Sequence, residues 1–152
     1  MTLTTHILSG AAIGVNVENP YAIAGLSFLI HLILDAIPHG DYINQNSKFK
    51  DVWKIAVDLL LGTTILLTIA HQGWLFYASG FNILLGIFFS LLPDFFTFLF
   101  CHFKIKFLRL FKNFHENLHF FKNNSPERQF KLKNSSWELA IILILLLILT
   151  IR

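Results

Sequence analysis

Four apolar stretches, residues 20–37, 52–70, 74–92 and 137–151, make up nearly half of this 152-residue chain. A helix needs about 20 largely apolar residues to cross a bilayer, fewer where neighbours shelter its ends. A fifth stretch, 2–17, is weaker and is broken by Gly10 and Gly14. Lipid offers no partner to a bare backbone N–H or C=O, so runs of this kind fold as helices. Composition agrees: 55% of residues are hydrophobic and 14% charged, against about a quarter charged in soluble domains. The expectation is one all-α domain over residues 1–152, a polytopic membrane bundle of about five spans. Asn19-Pro20 and Gln72-Gly73 mark turns or helix starts between spans. The N-terminus lacks the basic region of a signal peptide and is expected to be retained. The single cysteine, Cys101, excludes an intramolecular disulfide and a cysteine-rich zinc site.

Charge sets the expected topology. Lys48, Lys50 and Lys54 lie between the second and third spans, and Lys104, Lys106, Arg109, Lys112, Lys122, Arg128, Lys131 and Lys133 between the fourth and fifth. The connections at 16–19 and 71–73 carry none, and only Arg152 falls elsewhere. Eleven of twelve basic residues on one face make that face cytoplasmic. The chain is then a multi-pass protein of the cytoplasmic (inner) membrane with its N-terminus in the cytoplasm.

The same model gathers ionisable residues. His6 opens the first span, His31 and Asp35 close the second, and His39 and Asp41 follow it. Asp58 lies one turn into the third span, Asp94 near the end of the fourth, and His115 and His119 in the basic segment. All nine fall on the cytoplasmic side. Thr2, His6, Gly10 and Gly14 recur every fourth residue, as do Ser27, His31 and Asp35, and Asn82, Gly86, Ser90 and Asp94; Asp58 and Gly62 share a face. Small residues let helices approach closely in lipid, and ionisable groups at membrane depth usually mark function. The last span has no such stripe and reads as a peripheral anchor outside the site.

Residues 103–122 read as an interfacial amphipathic helix. Phe103, Phe107, Leu110, Phe111, Phe114, Leu118 and Phe121 share one side, and Lys106, Arg109, Lys112 and Glu116 the other. An apolar face backed by lysine and arginine suits an anionic membrane surface, so membrane lipid is the expected partner and nucleic acid is not.

Imidazole and carboxylate at i, i+4 suit a divalent metal, and both His31/Asp35 and His115/His119 have that spacing. Zinc takes such ligands, as do manganese and iron. Nine candidates exceed one structural zinc site. Either more than one metal shares the site, or some residues hold substrate or orient ligands. A metal at a membrane mouth activates water against an ester or phosphoester.

"THILSGAAIG", "HLILDAIPHGDY" and "LLPDF" resemble the membrane-bound metal-dependent hydrolase family of small bacterial inner-membrane proteins, some of them under SOS-repressor control. The matching positions are Thr5-His6, His31/Asp35, Pro93-Asp94 and the late pair His115/His119. The family's late motif, His-Arg-Gly-x-Thr-His, is here His-Glu-Asn-Leu-His, one residue shorter. The resemblance implies a metal-dependent hydrolase and names no substrate, which leaves phospholipid and soluble phosphoester both open. Two other readings compete. "HENLH" at 115–119 fits the zincin pattern, with Glu116 as general base. A non-enzymatic metal-binding protein or transporter is the third, but the outer halves of the spans carry few polar groups for a transport path.

Overall fold

The computed structural model describes residues 1–41, 49–75, 78–121, 125–128 and 136–151. Lys48, Lys122, Lys131, Lys133 and Arg152, which enter the charge distribution above, lie outside the described residues. Six α-helices occur among those described: α1 (Leu3–Asn16), α2 (Pro20–Asp35), α3 (Val52–His71), α4 (Gly80–Phe103), α5 (Arg109–Leu118) and α6 (Ser136–Thr150).

Local chemistry starts and stops them. The Asn19 side chain accepts from the Tyr21 and Ala22 amides, and Pro20 occupies the first helical position, where its missing N–H is no loss. Pro38 lies just beyond α2, where a ring without an N–H cannot extend the helix. α4 starts six residues later than expected and runs eleven further, to Phe103. Pro93 lies inside α4 and does not end it, because it removes one backbone donor while the apolar run continues. Termination comes at Lys104, whose φ of 55° is left-handed. The 103–122 segment is correspondingly shorter as a helix: a 3-10 turn at Lys106–Leu108 leads into α5, which stops at Leu118.

α1 is the axis. It packs against α4, α3, α6 and α2, and every residue from Thr4 to Ala12 is buried. Small side chains permit this. A methyl group on Gly10 would collide with the backbone of Gly86, and one on Gly14 with that of Asn82 and Ile83. α3 and α4 each lie on α1, yet make little contact with one another among the described residues.

The bundle is polarised along its length. At one end Leu8, Ala11, Val15, Ile69, Ile83, Leu145 and Leu149 form an apolar core. Toward the other end lie His6, His31, Asp35, His39 and His115, all buried. Large apolar side chains cover the outside, among them Leu60, Leu84 and Leu143. α3 (20 residues) and α4 (24 residues) are long and apolar enough to cross a membrane, whereas α2 and α6 are apolar but shorter. Among the described residues two helices thus meet that length, so a bundle of five spans is not shown.

Candidate metal centre

Eight of the nine candidate residues meet at the polar end. His31 and Asp35 lie one turn apart on α2, with Nε2 and Oδ2 3.1 Å apart. From α1, His6 stacks its ring on His31, centroids 4.0 Å apart, and brings Nε2 to 3.3 Å from Asp35 Oδ1. From α4, Asp94 stands 3.9 Å from His31 Nε2. From α5, His115 Nε2 lies 2.9 Å from Asp35 Oδ2. His39, beyond α2, sits with its Nε2 3.8 Å from Asp35 Oδ1 and 3.1 Å from Asp41 Oδ1. His119 Nε2 approaches Asp35 Oδ2 to 3.5 Å.

The proton positions follow from the partners. Ser90 offers His31 Nδ1 a carbonyl oxygen at 2.6 Å. A carbonyl only accepts, so Nδ1 carries a proton, and in the neutral ring Nε2 is the nitrogen left to bind a cation. The Thr97 hydroxyl donates to the Pro93 carbonyl at 3.1 Å, so it accepts from His115 Nδ1 at 2.9 Å. His39 Nδ1 likewise donates to the Ile37 carbonyl at 2.7 Å. Three imidazoles therefore turn Nε2 inward. Those of His31 and His115 face each other at 3.0 Å, beside the Asp35 carboxylate. In their neutral forms only a cation, a proton or a metal ion, can sit between these two nitrogens and the carboxylate.

Two sets of side chains are each placed to hold a metal ion: His31, Asp35, Asp94 and His115, and Asp35, His39 and His119. Asp35 belongs to both. Bonds of about 2.1 Å put neighbouring ligand atoms about 3.0–3.4 Å apart. His31, Asp35 and His115 stand 2.9–3.1 Å from one another, and Asp94, His39 and His119 lie 3.5–3.9 Å from His31 or Asp35. The residues fit a divalent metal on a second count as well. His6 Nδ1 and His119 Nδ1 are buried without a hydrogen-bond partner among the described residues, which is costly unless something binds them, whereas His6 Nε2 and His39 Nε2 face carboxylates at 3.3 and 3.1 Å.

His115 and His119 are one turn apart in sequence but fall into different sets. α5 ends at Leu118 and His119 is extended, with φ −62° and ψ 135°, so its ring leaves the helical register. Burial pushes the His119 imidazole down to about 3, which leaves it neutral, the form a metal requires. Burial alone would raise the Asp41 carboxyl, but the Met1 amino group and His39 hold it well below the usual carboxylate range.

Asp58 is in neither set. Its carboxylate accepts from the Leu3 and Thr4 amides at 2.6 and 3.1 Å and from the Thr4 hydroxyl at 2.6 Å. It thereby caps α1 from α3. Glu116 is also outside both sets and pairs with Lys112 at 2.5 Å. The structure adds residues that sequence reading passed over. Glu138, at the start of α6, is buried and accepts from the Thr2 amide and from the Thr5 hydroxyl beside His6. α6 is thus more than a peripheral anchor. Arg128 donates from Nε to Asp41 Oδ2 at 2.7 Å and accepts the Asp41 amide at its carbonyl, also at 2.7 Å. Ser90 and Thr97 orient the imidazoles. Ser90 already lay on a stripe with Asp94, whereas nothing in the local pattern marks Glu138 or Arg128. No protein family, curated protein or solved structure matches the chain.

Proposed function

We propose that the protein is a membrane-embedded, metal-dependent hydrolase of phosphoesters or esters, with two divalent cations sharing Asp35. The observation that carries this reading is the pair of inward Nε2 atoms of His31 and His115, 3.0 Å apart beside Asp35. Three carboxylates (Asp35, Asp41, Asp94) stand among five imidazoles (His6, His31, His39, His115, His119), with Arg128 and the Met1 amino group paired to Asp41. The N and O ligands favour zinc, with manganese and iron as the other fits. Bound divalent ions activate water and polarise the oxygen of a phosphoryl or carbonyl group. Ser90, Thr97 and the Ile37 carbonyl hold the imidazoles in one tautomer, as outer partners of metal ligands do. Asp94, about a third exposed, stands on the open side where substrate arrives. The motif resemblance points to the same class.

The zincin alternative needs His115 and His119 on one metal with Glu116 free to act as base. The two histidines divide between two sets, and Glu116 is engaged by Lys112. Metal analysis of the purified protein should find about two divalent ions per chain. Glu116→Gln should keep both the metal and a phosphoesterase rate within about threefold of wild type, no transition-state contact being removed. A metal-loaded Glu116→Gln that loses turnover by orders of magnitude, measured on the same ester, would transfer the assignment to a zincin.

The membrane reading rests on α3, α4 and the apolar exterior. With the basic residues inside, the metal centre lies at the cytoplasmic face of the inner membrane, and α5 rests its Phe and Leu side in the interface. Reporter fusions at Gln45 and Asn124 should then read cytoplasmic and one at His71 external. A cytoplasmic signal at His71 sinks this orientation.

A further inference from the structure

Because α3 and α4 each pack on α1 and scarcely on one another, a cleft remains between them. It encloses a cavity of about 340 Å³, at the lower end of the range for ligand pockets, about 300–1,000 Å³. Val52, Ile55 and Leu59 of α3 form one wall, and Leu91, Phe95 and Phe98 of α4 the other. These walls are mostly carbon, with Thr97, Cys101 and His102 of α4 as their polar members. The border toward α5 is the metal centre, through Asp94, His115 and His119, with Arg128 and the Lys112-paired Glu116 beside it. Arg128 is nearly as buried as its partner Asp41, each 11% exposed. Its Nε is spent on Asp41, while its Nη1 is buried with no acceptor among the described residues.

We propose that this cleft binds the alkyl chain of a long-chain phosphoester, whose phosphate meets Arg128 Nη1 and the metal centre; the inference rests on the hydrolase reading above. Each part of such an amphiphile has a counterpart. A buried guanidinium nitrogen needs an anionic acceptor, and a phosphate oxygen supplies one. A chain of methylenes gains by leaving water for apolar walls. A short, soluble phosphoester would leave much of the apolar lining uncovered. Hydrolysis breaks one P–O ester bond: the oxygen of water goes to phosphorus and a proton to the departing alkoxide.

Two measurements on protein in nanodiscs test this. The first is kcat/KM for alkyl 4-nitrophenyl phosphates from butyl to decyl. Each buried methylene is worth about fourfold, so the wild type should gain at least about 100-fold across the series. Leu59→Trp, which fills the cleft, should flatten that gradient while the metal content holds. A gradient that survives Leu59→Trp unchanged reflects partitioning into lipid and overturns the cleft. The second measurement is independent of turnover: photolabelling by a decyl phosphonate with a diazirine at its tail. Label should fall within 52–59 and 91–98 and be competed by unlabelled decyl phosphonate. Uncompeted label spread over outward residues such as Leu60 and Leu84 overturns the inference. In that case bound metal and butyl ester turnover would still stand for the hydrolase reading, so the two failures are distinguishable.

Discussion

Asp35→Ala should empty both metal positions at once and lower phosphoesterase turnover by well over the 10–100-fold that loss of an outer partner typically costs. The carboxylate is fully buried, and five imidazoles surround it: His6 at 3.3 Å, His31 at 3.1 Å, His115 at 2.9 Å, His119 at 3.5 Å and His39 at 3.8 Å. It is the one residue common to both sets. His39→Ala touches a single set and should leave about one ion per chain, with the loss confined to the position it shares with His119. Metal stoichiometry by mass spectrometry separates the two variants, and far-ultraviolet circular dichroism confirms that each retains its helices. Asp35→Ala protein that still carries two ions would dismantle the shared-ligand geometry.

The second large effect concerns the frame. Gly86→Ala should lower stability by about 3 kcal/mol. Its new methyl group would strike the Gly10 carbonyl and crowd the Gly14 amide, atoms of the α1 backbone that cannot rotate away. To relieve the clash α1 and α4 must separate, and that moves His6 relative to Asp94, so metal affinity should fall as well. Gly25→Ala is the matched control. It is also in a helix, but nothing lies within 4 Å of its added carbon, so the change should be neutral or gain up to about 1 kcal/mol from helix propensity. Thermal melting of the two variants in the same detergent decides it. Equal melting temperatures would mean that the α1–α4 contact is looser than its geometry indicates.

The gap between the helices anticipated and those formed has a physical pattern. α1, α2, α3 and α6 begin and end within two residues of the apolar stretches 2–17, 20–37, 52–70 and 137–151. Asn19 with Pro20, and the hydropathy change at Val52, are local signals that act through the backbone of the same segment. α4 departs from its stretch because Gly73 and Trp74 belong to the preceding turn, and because the apolar run continues past Pro93, which removes only one backbone donor. The central place of α1 is the larger gain from the structure. A short helix interrupted by glycines is a poor span, yet the same glycines admit α4 to within backbone contact and make α1 the centre of the bundle.

For the site, the sequence by itself determined which side chains share a helical face: His31 with Asp35, Ser90 with Asp94, Gly10 with Gly14. Such sharing follows from the 3.6-residue turn, a property of one segment alone. The tertiary structure alone decided how those faces combine. It turned Asp58 to cap α1, brought Glu138 from α6 against Thr2 and Thr5, and placed Arg128 on Asp41. It also divided His115 from His119 across Asp35. Those outcomes depend on how far apart helices cross and how each is rotated about its axis. Packing among several helices sets both quantities, and no one helix carries them in its own periodicity.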